Sequence, residues 1–221
     1  MIYAVRKQNN YVRVTCFGYF ASLIGIGSGV IICETGFIVT NNHVVSNATG
    51  DFADKINVRL KTGQTFEAVV AWHRPDADLA ILKLDACGLP VARFGSISEH
   101  CTLVFAVGYS AQTQEMIIAE DLHIGRTDAF ALGGNRLIQT TTELVRGNSG
   151  GGLFNSYGEL VGIVTAKYVG IGADSIGLSV PIDVLRENAY KDGNVRILSL
   201  CAFLFDACVS ISGLTSYISL L

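Results

Sequence analysis

The amino-acid sequence predicts an all-β protein of two six-stranded antiparallel β-barrels, with a short C-terminal helix and an apolar tail. Three observations carry this expectation. Apolar and polar residues alternate over many short runs, the two-residue period of half-buried strands. Turn-forming clusters punctuate these runs: Cys33-Glu34-Thr35-Gly36, Lys61-Thr62-Gly63-Gln64, Gly133-Gly134-Asn135 and Ser156-Tyr157-Gly158. Only Ile182–Tyr190 has helical spacing, with Pro181 at its start and apolar Ile182, Leu185 and Ala189. Short strands separated in this way close into a barrel or sandwich rather than forming a βαβ sheet.

In chain order, the first group of strands is expected at Tyr11–Gly18, Gly29–Cys33, Gly36–Thr40, Lys55–Lys61, Phe66–His73 and Leu79–Leu84. Seven candidate segments follow for the second, six-stranded group, at Val91–Phe94, Leu103–Tyr109, Met116–Ile124, Leu137–Thr142, Gly151–Phe154, Leu160–Ala166 and Ile176–Val180. The division falls near Asp85–Pro90, giving an N-terminal barrel over about 11–86 and a C-terminal barrel over about 90–190 within one domain, 1–194. The uncharged stretch Val14–Cys33 follows Arg6, Lys7 and Arg13 and competes as a signal anchor. Its Gly18, Gly25, Gly27 and Gly29 favour two strands instead, because each interior glycine costs a helix about 1 kcal/mol. The tail 195–221 contains Ile197–Leu221, long enough to cross a bilayer but interrupted by Asp206 and five serines. Membrane association, a helix packed on the body and an irregular extension all stay open for it.

Composition narrows the function classes. Charged residues make up 16% of the 221 and the net charge is −3, with no basic run longer than Arg6–Lys7. Nucleic acid is therefore not an expected partner, because phosphate neutralisation needs a clustered basic surface. The six cysteines (Cys16, Cys33, Cys87, Cys101, Cys201, Cys208) form no CxxC pair, so no metal site is expected, and they read as buried free thiols.

The strongest chemical signal is Arg146-Gly147-Asn148-Ser149-Gly150-Gly151-Gly152. A serine among glycines can present its hydroxyl on a tight turn, while the amides of Gly147 and Ser149 converge on one point. A bare Gly-x-Ser-x-Gly is equally a glycine turn between strands. A serine nucleophile also needs a base. Of His43, His73, His100 and His123, His43 stands out because it ends the apolar run Gly36–Asn42, where a polar Asn41-Asn42-His43 step must be held by hydrogen bonds. His73 and His100 read as solvent-facing loop residues. An acid must fix the tautomer of the base. Asp78 directly precedes the apolar Leu79–Leu84, where a carboxylate can be partly desolvated and aimed inward. A solvated strand-start residue is the other reading of either aspartate, more so of Asp76, and spacing alone does not choose between them.

These patterns occur in the order His, Asp, Ser, and the chain resembles the Deg/HtrA-type serine proteases of trypsin-like double-barrel fold. The matching segments are Gly27–Ile32, Gly36–Val45, Asp78–Lys83 and Gly147–Gly151, and the resemblance covers about residues 11–190. It implies His43 as general base, Asp78 as orienting acid, Ser149 as nucleophile and the Gly147 and Ser149 amides as oxyanion donors. It also implies a serine endopeptidase acting on unfolded or misfolded polypeptides, needing no cofactor. A latent protease-fold protein that binds polypeptides without cutting them is the alternative. Glu143 falls six positions before Ser149, where trypsin-like enzymes place the floor of the primary specificity pocket, and with Thr165 and Lys167 it forms the candidate substrate pocket. There Glu143 would favour a basic substrate side chain; the competing reading turns it outward or pairs it with Lys167. The family often carries PDZ domains after the protease, where this sequence has Lys191–Leu221. It often forms homotrimers and works in the cell envelope or in organelles, and compartment and substrate are not read from these residues.

Overall fold

The structure is a computed structural model that describes residues 10–17, 23–97, 102–129, 135–141, 144–168 and 176–191. Twelve strands form two closed antiparallel barrels. The first is ordered β1-β2-β3-β6-β5-β4, with β1 at Tyr11–Phe17, β2 at Leu23–Cys33, β3 at Phe37–Thr40, β4 at Lys55–Leu60, β5 at Thr65–Arg74 and β6 at Leu79–Leu84. The second is ordered β10-β11-β12-β9-β8-β7, with β7 at Leu103–Tyr109, β8 at Met116–Ala129, β9 at Asn135–Thr140, β10 at Gly152–Asn155, β11 at Leu160–Tyr168 and β12 at Ile176–Pro181. Closure leaves neither sheet an open edge. A C-terminal helix over Ile182–Lys191 packs after β12.

The barrels share a dry seam. One buried cluster contains Tyr11, Val30 and Ile81 of the first barrel with Phe105, Phe154 and Ile163 of the second. The Tyr11 and Phe154 rings meet edge to face, 5.5 Å between centroids. Interiors packed at this density transmit position rather than absorb it, so groups carried by different barrels hold a fixed separation.

Several elements differ from expectation. Val91–Phe94 is not a strand: among the described residues it makes one isolated parallel bridge, Phe94 to Leu160. Its backbone is instead shared between barrels, Ala92 N–H donating to Ile31 O (2.9 Å) and Leu160 N–H to Arg93 O (2.7 Å). β2 begins six residues before the expected Gly29, because its glycines are points of close approach rather than turns. A Cβ on Gly27 would lie 2.6 Å from Val44 Cγ1 and 3.0 Å from Ser149 O. The sequence reading also missed a one-turn helix, Asn42–Val45, and a 3₁₀ turn, Pro75–Ala77, both too short to show periodicity. Cys16 and Cys33 are buried free thiols as expected, but Cys87 is exposed, since it lies in the connection between the barrels. His73 lies in β5 rather than in a loop, and it is exposed. Cys101, Cys201, Cys208, His100 and the tail 192–221 lie outside the described residues. Among those described, no helix is long and apolar enough to cross a membrane.

Candidate active site

The two short helical segments place a histidine and an aspartate from the first barrel. His43 lies in the turn that follows β3, and Asp78 ends the 3₁₀ turn that precedes β6. Asp78 has φ 51° and ψ 42°, the left-handed region, which aspartate tolerates better than most residues because its short polar side chain bonds locally. That conformation is held from several sides. The Asn41 side-chain amide donates to Asp78 O at 2.9 Å, and the Asn42 N–H donates to the same oxygen at 3.2 Å. Buried Asn41 and half-buried Asn42 thus hold the Asp78 backbone in place.

The Asp78 carboxylate, buried to 7% exposure, faces His43 with both oxygens. Oδ1 accepts the His43 backbone N–H at 3.0 Å, and Oδ2 lies 2.8 Å from His43 Nδ1. A carboxylate only accepts, so the proton of this pair sits on Nδ1, and in the neutral ring Nε2 is the nitrogen that carries the lone pair. Thr165 donates its hydroxyl to the same Oδ2. Asp76, by contrast, pairs with Arg74 on the surface at 2.6 Å, and that hydrogen bond holds its carboxyl below the usual carboxylate range.

The second barrel brings the serine. Ser149 Oγ donates to Thr165 O at 3.3 Å rather than to the His43 ring. Thr165 stands at a register shift between Val164 and Ala166 of β11. A bulge of this kind re-aims a side chain, and here one residue presents its carbonyl to Ser149 and its hydroxyl to Asp78. The result is a continuous hydrogen-bonded chain Ser149–Thr165–Asp78–His43 across both barrels.

The turn before Ser149 is pinned so that its amides are free. Gly147 has φ +99°, and a Cβ there would press on the Tyr109 carbonyl and lie 2.5 Å from Ala111 N, so only glycine fits. Arg146 O accepts the Ala111 N–H at 2.8 Å. Because a trans peptide sets its C=O and N–H antiparallel, the Gly147 N–H points away from Ala111. Gly147 O accepts the Ser28 hydroxyl at 2.7 Å, and Ser28 Oγ in turn accepts the Tyr109 N–H at 2.7 Å. The Ser28 N–H donates to Ser149 O at 2.8 Å, and Thr40 Oγ1 donates to Ser28 O at 2.7 Å. Ser28, on β2 of the first barrel, thus ties three segments of the site together. Nothing local in the sequence marks it for that task.

A cleft of about 760 Å³ opens beside these groups, lined by His43, Pro75, Thr165, Ala166, Leu137 and Leu178 among others. Of the expected pocket residues, Thr165 is buried with its hydroxyl on Asp78, and Lys167 contributes backbone to β11. Glu143 lies outside the described residues. His123 is buried in β8, with Nε2 2.9 Å from Gly125 O.

Comparison with known proteins gives the same architecture. The trypsin-like peptidase domain family matches residues 27–163. The serine endoprotease DegS of Haemophilus influenzae is 35% identical over 184 residues, covering 77% of this chain and 52% of that protein. The periplasmic pH-dependent serine endoprotease DegQ of Escherichia coli is 34% identical over 178 residues, covering 76% and 37%. The chain thus spans about half or less of the length of these curated relatives. Among solved structures, the HtrA-type protease AlgW with tripeptide superposes with a TM-score of 0.73 at 28% identity, covering 83% of this chain and 60% of that one. With the double barrel, its glycine-lined serine turn and these likenesses together, the chain belongs to the trypsin-like peptidase domain family, on its Deg/HtrA side.

Proposed function

We propose that this chain is a serine endopeptidase that hydrolyses polypeptides through Ser149, His43 and Asp78. The observation that carries the proposal is the chain Ser149–Thr165–Asp78–His43, which fixes the imidazole through Nδ1 beside a cleft that His43 lines. In the reaction, a rotation about the Ser149 side chain moves Oγ from Thr165 O to Nε2, a change between staggered wells. His43 then takes the hydroxyl proton as Oγ attacks the substrate carbonyl carbon. Asp78 keeps the ring in this tautomer and stabilises the imidazolium. The oxyanion is received by the Gly147 and Ser149 amides, neither of which has another partner among the described residues. His43 returns the proton to the leaving amine, and water repeats the sequence on the acyl-enzyme.

Extended, unfolded segments suit a long cleft with apolar Pro75, Leu137 and Leu178 on its walls. The cell envelope is the proposed compartment, supported by the periplasmic relative named above. A basic preference from Glu143 is also proposed, to be read from a cleavage-site profile. The test is labelling with a fluorophosphonate probe together with hydrolysis of an unfolded casein-type protein. The wild type should be labelled on Ser149 and cut the substrate, and Ser149→Ala should lose labelling and about 10⁶-fold in turnover. A folded wild type that is not labelled, yet retains the unfolded protein, would favour the non-cleaving binder.

A further inference from the structure

Away from the cleft, a cavity of about 210 Å³ lies between β1, the end of β4 and the β7–β8 hairpin. Arg13, Arg59 and Lys61 line it together with Tyr109 and Gln114, and among the described residues no acidic side chain lines it. Like charges gathered round one small space are unfavourable unless an anion joins them. Two further observations point to a missing acceptor. Arg13 donates through Nη1 to Gln114 Oε1, but its Nε is buried with no partner. Arg59 has no ion-pair or hydrogen-bond partner among the described residues. Burial raises the Tyr109 phenol above its usual range and the nearby Arg13 and Arg59 guanidinium groups pull it back, so its hydroxyl stays a donor near neutral pH.

We propose that this cavity binds an oxyanion of phosphate size, held by the guanidinium groups of Arg13 and Arg59, the Lys61 ammonium and the Tyr109 hydroxyl. Occupancy would also be felt at the serine turn, because the same hairpin serves both places. Gln114, at φ +59°, donates its N–H to Ser110 O at 2.9 Å, and Ser110 Oγ accepts the Gln112 and Thr113 amides at 3.2 Å each. The next residue, Ala111, holds Arg146 O, and Tyr109 N–H holds Ser28 Oγ. An anion against the accessible edge of the Arg13 guanidinium leaves the Nη1–Gln114 bond in place and fastens the hairpin, and through it the Gly147 amide. This second part rests on the serine-protease reading, whereas binding does not.

The experiment titrates the full chain with inorganic phosphate at constant ionic strength, following thermal unfolding and the rate of fluorophosphonate labelling. The melting temperature should rise saturably with phosphate and more weakly with acetate, and glycerol 2-phosphate in parallel separates a free ion from an esterified one. Arg59→Gln and Lys61→Gln, both on exposed side chains, should each weaken the response, and the double variant should lose it. Labelling of the wild type should accelerate about 5-fold, the low end of allosteric couplings. A rise that does not saturate, or that survives in the double variant, overturns the site. Saturable binding with an unchanged labelling rate overturns the coupling. Absence of labelling with and without phosphate overturns the serine reading and leaves the binding result standing.

Discussion

Replacing Ser28 by alanine removes one hydroxyl and orphans two backbone groups at once. The Tyr109 N–H loses its acceptor and the Gly147 carbonyl loses its donor, both bonds being 2.7 Å and buried. A buried group left unsatisfied costs about 1–3 kcal/mol. Some relaxation of the hairpin reduces the pair to about 2–4 kcal/mol, or a fall of about 5–15 °C in melting temperature for a domain of this size. The Ser28 N–H to Ser149 O bond and the Thr40 bond to Ser28 O survive, so the seam still closes. Function should suffer separately. Removing an oxyanion donor outright costs about 10²–10³ in kcat, and Ser28→Ala leaves the Gly147 amide present but unpinned, so about 10–100-fold is expected. KM should barely move, since the cleft walls are untouched. The assay is steady-state hydrolysis of a peptide substrate well below the melting temperature, with phosphonate labelling beside it. Ser28→Cys, which keeps a weak donor, should recover part of the rate. A variant that melts lower but keeps wild-type kcat, or that changes KM alone, would refute the claim that this hydroxyl positions the serine turn.

Two further outcomes follow from the same geometry. Asp78→Asn keeps the shape but presents an amide to Nδ1, which admits the wrong tautomer, so kcat should fall by about 10⁴ with the variant still folded; pre-steady-state acylation measures it. Burial pushes the Cys16 thiol from the usual 9.0 up to about 12, so at pH 8 iodoacetamide should modify exposed Cys87 and spare Cys16, as peptide mass mapping will show. The sign for stability follows: a raised pKa favours the neutral thiol in the fold, so this contribution is intact below about 9 and is lost as pH climbs toward 12.

What could be read from the sequence is what is local. His43, Asp78 and Ser149 each carry a signature within a few residues, and apolar alternation marks most strands. The supporting bonds have no such mark. Ser28 meets Gly147 across 119 positions and Thr165 meets Asp78 across 87. No window of sequence contains either pair, which is why the sequence offers no sign of the Ser28–Gly147 bond or of the Thr165–Asp78 bond. Val91–Phe94 reads as a strand because it is apolar, yet its carbonyls and amides go to two different barrels rather than to one ladder. The glycines of β2 invite the reading of turns, since their function depends on Val44 and Ser149 approaching from elsewhere.

The seam between barrels is therefore more than the place where the site happens to lie. The proposed base and acid come from one barrel and the proposed nucleophile from the other, so on this reading the chemistry requires the two to be docked in register. Three bonds that cross between the barrels lie at the candidate site: Ser28 N–H on Ser149 O, Ser28 Oγ on Gly147 O, Thr165 Oγ1 on Asp78. Folding and assembly of the site then share interactions, and a change that loosens docking should lower activity before it unfolds either barrel. The hydroxyl of Ser149 resting on Thr165 O fits this arrangement. Thr165 thus holds the proposed nucleophile through its carbonyl and the proposed acid through its hydroxyl, so one residue of β11 couples the two barrels at the candidate site.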